Sequence, residues 1–509
     1  MFLPIVENVT SQSTELNIAN GSRDSSPLGT RASVTITMRD IPYDDTFVDK
    51  YTADRAFTPY ARSSFWAKFL ARNLYYQNRS IRIRDGYVGE VVTDMRTRNY
   101  VIDRIVGPDS NGRITITAKD VLKLAEDKRA QAPRASNGTI DVNISAVATS
   151  FNLTPAGIGN TEYPASGKGV VGSEVISFTR SSDAITVVAR GANNTTAATH
   201  QAGDTFQLCL EYSDDRVDDV IADLLENYGN IDPAYLPTTD WSDEADVWLV
   251  NARVNGIITE PTGVTTLIGE LCEQCTCFIW WDEIDQEIKF KPVRPTVAAD
   301  NVVDIDQDSN VVAESLKLIR EPNQRISQAW IYYKRFNPTE SLTKSSNYSI
   351  LSINADLEAE TEEQYGESRV RVVYSRWLTD ANAGQVLTLG SRLLISYRDN
   401  PQYITFSLDA KDRDIKVGDV VRLTHRSIVD IYGEPEQTSL QVISCEEVES
   451  GHRIEYKCQV FGFSGRFAFV MPDGSNDYGS ATDDEKNTGG YICADSEIFS
   501  DGTEAYKII

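Results

Sequence analysis

Alternation of β-branched and polar residues constrains this chain more than any other feature. Ala32 to Met38 (ASVTITM), Tyr87 to Thr93 (YVGEVVT), Asn99 to Ile105 (NYVIDRI) and Arg113 to Lys119 (RITITAK) all repeat with period two. That spacing turns one face of a strand toward a core and the other toward water. Gly107-Pro108 and the run Asp109-Ser110-Asn111-Gly112 separate the last two, as a hairpin connection should. A short helix is predicted from Asp120 (DVLKLAED), and Ala130 to Gly138 reads as a junction.

From residue 139 to 208 the chain is poor in charge and rich in Gly, Thr, Ser and Val, with strands predicted at Val175 to Thr179 and Ala184 to Ala189. This reads as a small inserted β-barrel. Two amphipathic helices follow. Val217, Val220, Ile221, Leu224, Leu225 and Tyr228 share one face of Asp215 to Tyr228, with Ser213 and Asp214 as caps and Gly229 as the stop. Val264, Leu267, Ile268, Leu271, Cys272 and Cys275 share one face of Val264 to Cys275 behind Thr262. The second helix runs into a hairpin of Phe278 to Trp281 and Glu287 to Val293 about a turn at Asp282 to Gln286. Ala329 to Tyr333, Arg369 to Tyr374, Tyr403 to Leu408 and Val420 to Thr424 read as strands, interrupted by a helix over Asp380 to Leu394. The final 49 residues, from Phe461, carry nine acidic and three basic groups, and read as an irregular tail ordered only against partners.

These patterns predict a mainly β (α+β) chain: tandem β-barrels, a small inserted barrel and a few amphipathic helices. The divisions fall at 1–135 (N-terminal β-rich), 136–209 (inserted barrel), 210–310 (α+β), 311–465 (second barrel region) and 466–509 (acidic tail). A chain of 509 residues exceeds what one core organises.

Charge narrows the function. Lys and Arg number 49 against 75 Asp and Glu, a net of −26, which argues against stable nucleic-acid binding. An acidic surface suits a conduit that DNA crosses without being held, and equally suits simple solubility. Against this background ten basic residues lie between Arg55 and Arg104 (Arg55, Arg62, Lys68, Arg72, Arg79, Arg82, Arg84, Arg96, Arg98 and Arg104), interleaved with Phe57, Phe65, Trp66, Phe69, Tyr75 and Tyr76. Basic plus aromatic marks a contact with an acidic neighbouring subunit, with a solvated face or a nucleic-acid site as the alternatives. No window approaches the roughly 18 apolar residues of a membrane span, and MFLPIVENVT lacks the basic start of a secretory signal, so the mature protein is expected to begin near Met1. Seven cysteines, an odd number, fit a reducing cytoplasm better than a disulfide scaffold.

Several stretches, taken in order, resemble tail-hub proteins of siphophages, the group related to the hub domains of phage lambda's host-specificity protein and to the trimeric hub of contractile-tail baseplates. They are Phe65 to Asn73 (FWAKFLARN) with Tyr75-Tyr76, Val101 to Ile105 with Gly107-Pro108, Ile114 to Asp120, Ala189-Arg190-Gly191 through Gly203-Asp204-Thr205, Phe278 to Asp282 and Gly418 to Thr424. The resemblance implies a virion protein at the tail tip, made in the host cytoplasm: a homotrimer whose barrels form a pseudo-sixfold ring. It further implies a distal tail ring protein, the tape-measure protein and a central tail fibre or other tip proteins as partners. The ring would open for DNA ejection after host attachment.

Enzymatic chemistry is weakly supported. His200, His425 and His452 are isolated and read as surface or turn residues, and no G-x-S-x-G elbow is present. Glu360 with Glu362 and Asp282 with Asp285 are acidic pairs of a kind that chance supplies among 75 carboxylates. No catalytic residue and no cofactor is expected. Cys272, Cys275 and Cys277 form a C-x-x-C-x-C run that, with a fourth ligand such as Cys209, fits a metal; core thiols and a disulfide are the other readings. Cys445 and Cys458 would face each other across a two-residue turn at Gly451-His452, bridged or as separate thiols. Ser166 to Gly172 (SGKGVVG) lacks the first glycine and the hydroxyl of a phosphate loop, Glu162 and Gly169 standing there, and reads as a flexible loop. Trp241, Trp248, Trp280 and Trp281 with abundant carboxylates suggest the runner-up, a glycan-binding or glycan-cleaving surface protein.

Overall fold

A computed structural model describes residues 5–22, 26–42, 64–126, 128–296, 300–361, 364–412, 414–430, 432–449 and 452–460, with short pieces at 469–470, 479–482 and 489–490. The predicted tail therefore lies mostly outside the described residues, as do Arg55, Phe57, Arg62 and Glu362.

Two antiparallel sheets organise the chain. The first is built from β1 (Val6–Gln12), β2 (Ser33–Arg39), β3 (Ser80–Asp85), β4 (Arg96–Val106) and β5 (Arg113–Lys119) in the order β1-β2-β5-β4-β3. The predicted alternation is realised: Val34, Ile36, Ile114, Ile116 and Ala118 point into one core, roofed by Trp66 of the helix Phe65–Arg72. The second sheet uses β6 (Val302–Asp306), β7 (Lys317–Arg320), β8 (Gln402–Asp409), β9 (Val420–Thr424), β10 (Thr438–Glu449) and β11 (Arg453–Val460) in the order β6-β9-β10-β11-β8-β7. Its core holds Phe406, Leu408, Leu423, Val442 and Tyr456.

Without β6, the second sheet runs first, second, fifth, fourth, third in chain order, and so does the first sheet. Every neighbouring pair in both is antiparallel. β6 is then added in parallel beside β9, the third strand of its sheet.

Tyr87 to Thr93 is not a strand; it forms turns. Glu90 folds back to accept the Tyr87 amide at 2.8 Å, and Gly89 sits at φ +95, so the alternating residues there never meet a partner strand. The strand lies one segment earlier, where Ser-Ile-Arg-Ile-Arg-Asp pairs with β4.

The insert is a sheet of Gln207–Leu208, Ser166–Val171, Glu174–Ser181, Ala184–Ala192, Ser150–Thr154 and Thr139–Ile140, in that spatial order. A bridge between Thr139 and Thr205 joins its two ends and closes it as a barrel. Ser166 to Gly172 is therefore mainly an inner strand rather than a flexible loop, because Gly169 lets Phe206 lie flat on the backbone; a Cβ there would sit 2.4 Å from the ring.

The largest core contains residues of Val217–Asp223, of the helices Thr238–Trp248 and Val264–Cys275, and of the hairpin Cys277–Asp282/Glu287–Pro292. The first predicted helix is α-helical only to Asp223 and ends in a π-turn at Leu224–Tyr228, and it is preceded by Arg216 rather than by the predicted caps. A three-stranded sheet (Tyr348–Ala355, Gln328–Arg335, Val370–Tyr374) packs under the helix Ala383–Tyr397.

Candidate assembly interface

Polar ties make the two sheets one unit. Leu16 N donates to Ile443 O at 2.9 Å just beyond β1, Lys457 reaches Glu15 at 2.6 Å, and Arg96 of β4 reaches Glu447 of β10 at 3.2 Å. The hairpin is clamped to β4: Asn99 N and Nδ2 both donate to Glu283 O, Tyr100 Oη donates to Glu283 Oε2 at 2.7 Å, and Trp281 Nε1 donates to Asn99 O at 3.2 Å. Burial raises the Glu283 carboxyl above its usual range, opposed by Arg98 and by the tyrosine bond. Farther along, Arg371 is buried with Glu273 at 2.6 Å and donates to the carbonyls of Asn20 and Gly21. Removing one member of such a buried pair strands the other charge, so these contacts fix relative position.

A cleft of about 440 Å³ lies where the first sheet, the hairpin and the second sheet meet. Asp85, Glu90, Asp94, Asp282, Glu283 and Glu447 line it, with Arg96 and Lys416 as its cations. Trp280 and Trp281 reach its floor but are only 8% and 3% exposed, and Trp241 is 2% exposed with its Nε1 on Ile288 O. Arg294 covers the Trp248 ring at 5.6 Å. The predicted acidic pair is used internally, since Asp282 Oδ1 accepts the amides of Ile284 and Asp285 while Asp285 pairs with Lys416 at 3.2 Å. The aromatics proposed for glycan contact are thus mostly core.

Cys272, Cys275 and Cys277 are all in the central core, whereas Cys209 belongs to a separate cluster with Val170 and Val175. Burial pushes the Cys209 thiol up to about 12 and raises Cys275, and a hydrogen bond with Cys272 together with burial raises Cys277. Among the described residues no group of three or more His, Cys, Asp or Glu is placed to hold a metal. Cys445 does not face Cys458. The register shift between Glu447 and Glu449 sets it opposite Tyr456, and a second between Val442 and Ser444 puts Val442 opposite Cys458.

His200 departs from its predicted surface position. It is 6% exposed and bonds Glu174 at 2.8 Å. Glu174, fully buried, also accepts from Arg190 Nε and Nη2 at 2.6 and 2.8 Å and from the amides of Gly191 and Ala198. Burial alone would raise this carboxyl, but these bonds, led by Arg190, outweigh it and bring it to about 2. The network pins the loop after Ala192 to the insert barrel. Its only sequence signal was one Glu opening an apolar strand, too common to identify. His425 and His452 do lie at turns.

Of the basic band, Arg96 and Arg98 are turned inward, Arg98 pairing with Asp85 at 3.3 Å. Arg82 and Arg84 are exposed on β3 and make no ion pair or side-chain hydrogen bond among the described residues. β3 is an edge strand with no strand on its outer side among the described residues, and Leu74 and Tyr75 just ahead of it are 73% and 85% exposed. No described helix is long and apolar enough to cross a membrane.

No family model matches the chain, and no curated protein matches it. Among solved structures it is similar to prophage tail protein gp18 from Listeria monocytogenes EGD-e, at 11% identity and TM-score 0.37, covering 90% of each chain. It is similar to the tail protein from Neisseria meningitidis MC58, at 10% identity and TM-score 0.40, covering 89% of this chain and 93% of that one. It is also similar to the 43 kDa tail protein of prophage MuSo2 from Shewanella oneidensis, at 11% identity and TM-score 0.39, covering 88% and 92%. Two of these are prophage tail proteins and the third is a tail protein. At such TM-scores the superpositions are too loose to carry any residue across.

Proposed function

We propose that the chain is a non-enzymatic structural subunit of a bacteriophage tail, a hub at the tail tip that assembles as a homotrimer. The observation that carries this reading is the repeated wiring of the two sheets. One chain supplies two sheets that share, apart from β6, one order of five antiparallel strands, so three chains around a threefold axis supply six similar walls. Such a ring can join a hexameric distal tail ring on one side and a threefold central fibre on the other, with the end of the tape-measure protein inside. The five divisions at 1–135, 136–209, 210–310, 311–465 and 466–509 are its proposed modules. The net charge of −26 suits a bore that DNA crosses at ejection without being held, and the Cys272, Cys275 and Cys277 thiols act as core residues rather than ligands.

Mass photometry of the purified chain, alone and with the distal ring protein, tests this. A threefold mass is expected; a monomer under both conditions overturns it. Immunogold labelling of virions should decorate the tip, and label along the shaft or on the capsid contradicts the location.

A further inference from the structure

The two sheets match in strand order, but their third strands end differently. In the second sheet β9 is covered by β6, an alternating aliphatic and acidic strand, Val302-Val303-Asp304-Ile305-Asp306. Asp304 lies across from Arg422 of β9 and pairs with it at 2.7 and 3.1 Å. In the first sheet the equivalent strand, β3, carries Ser80-Ile81-Arg82-Ile83-Arg84-Asp85 and has no strand beyond it among the described residues. Alternate residues of an edge strand hold their N–H and C=O groups outward, a template for pairing with another chain. Ile81 and Ile83 pack against the core, whereas Arg82 and Arg84 stand exposed on the other face with no side-chain partner among the described residues.

β6 is itself an edge strand, and its faces are the complement of those of β3. Ile305 is buried, and Asp304 and Asp306 are exposed on the opposite face. Asp306 makes no ion pair among the described residues; it accepts the amide of Asp308 at 2.9 Å. We propose that β3 of one copy pairs edge to edge with β6 of a second copy, so that the first sheet of each subunit continues into the second sheet of its neighbour. Ile83 then meets Ile305 on the core side, and the two arginines meet the two aspartates on the outer side. This matching holds whether the strands run parallel or antiparallel, because the side-chain period of two puts the same residues on the same face in either direction. Single-register complementarity of both faces is what selects a second copy over an unrelated acidic strand. The inference rests on the ring reading above and specifies the contact that closes the ring.

Sedimentation velocity of the full chain tests it. Wild type is expected as an oligomer, and R82E/R84E should associate roughly ten-fold or more weakly, because opposed pairs become like-charge pairs on neighbouring strands. Adding Asp306→Arg to that double variant should recover part of the loss. Both arginines are exposed and make no side-chain bond among the described residues, so the melting temperature of the subunit should not move. A charge-independent arm uses cysteine pairs: R84C/D304C should form an interchain disulfide on mild oxidation if the strands are antiparallel, and R84C/D306C if they are parallel. An oligomeric wild type whose R82E/R84E variant associates equally well, or failure of both cysteine pairs to cross-link, overturns the edge pairing and leaves the ring reading standing. A wild type that sediments as a monomer both alone and with the distal ring protein overturns both.

Discussion

The first and second sheets share one wiring diagram and keep different kinds of residues at their margins. The first roofs its core with a helix whose aromatic cluster, Phe65, Trp66 and Phe69, packs ring against ring, and it buries a carboxylate, Asp120, where its last strand ends. The second fills its core with Phe406 and Tyr456, both 0% exposed, and none of its described buried residues is charged. A topology can therefore repeat without its core repeating. The lesson is that strand order is held by alternation and hairpin length, while the means of excluding water can be chosen separately for each sheet.

If the second sheet depends on its aromatic pair, truncating one ring should break it first. Phe406 and Tyr456 stack with centroids 5.9 Å apart and ring planes inclined by 29°. Phe406→Ala should cost about 3 to 5 kcal/mol, the range for a buried aromatic replaced by a cavity. Because a chain with several cores need not unfold in one step, hydrogen exchange resolved by segment is the proper readout. Protection should fall over residues 402–460 and stay near wild type over residues 33–39 and 113–119. Equal loss in both sheets would mean that their cores are not energetically separate.

The next largest effect concerns the joint between sheet and hairpin. Gly418 holds φ +90 at the entry to β9, and a Cβ there would lie 2.7 Å from the Trp280 ring. Gly418→Ala combines a left-handed backbone penalty with overpacking, together about 2 to 4 kcal/mol. Thermal melts should show it, and Trp280→Leu in the same chain should relieve the steric part while leaving the backbone part.

Most of this contrast was legible in the sequence for β2 and β5, where β-branched alternation runs without interruption, and for Val264–Cys275, whose predicted apolar stripe is buried throughout, although Gly269, Glu273 and Gln274 are buried with it. It was not legible where a tertiary bond overrode local pattern. Tyr87 to Thr93 alternates as well as any strand, yet the Glu90 carboxylate closes it into a turn. Cys445 was set against Cys458 by counting back from a two-residue turn, but the pairing closes at Glu449 with Arg453, and one irregularity invisible to counting, between Glu447 and Glu449, moves it a further place. The candidate interface was only half visible: the basic band stood out, but sequence does not say that Arg96 and Arg98 turn inward while Arg82 and Arg84 remain outside. Nor could it reveal the shared strand order, which depends on pairings between segments up to hundreds of residues apart.

Asp120 gives the comparison a pH dependence. Burial raises its carboxyl to about 6 despite the opposing pull of Arg31, and one of its oxygens has no hydrogen-bond donor. A folded-state value raised above the ordinary 3.8 means that its protonated form is the compatible one. Its contribution is thus fully present below about 4 and is lost as pH rises through about 6. Asp120→Asn should remove that slope and stabilise the first sheet at pH 7 by about 1 kcal/mol or more, given that each pKa unit is worth about 1.4 kcal/mol. Hydrogen exchange of β2 and β5 at pH 4.5 and 7 checks it; a slope unchanged in the variant would exclude Asp120 as its source.

The smallest effect on folding separates what holds a sheet together from what joins sheets between molecules. Asp304 is 62% exposed and Arg422 44%, so their bidentate pair is open to solvent and ions. Exposed pairs of this kind are worth about 0 to 1 kcal/mol, and Asp304→Ala should therefore move the melting temperature of the second sheet by no more than a degree or two, with little dependence on salt. The same substitution removes one of the two carboxylates that β6 would present to a neighbouring β3, so it should weaken self-association by several-fold, and more so at low salt. A variant that melts like wild type yet sediments with a lower average mass would show that β6 carries its charge for its neighbour's sake. If instead melting falls and association is unchanged, the acidic strand is there to complete its own sheet, and the difference between the margins of the two sheets has an internal cause.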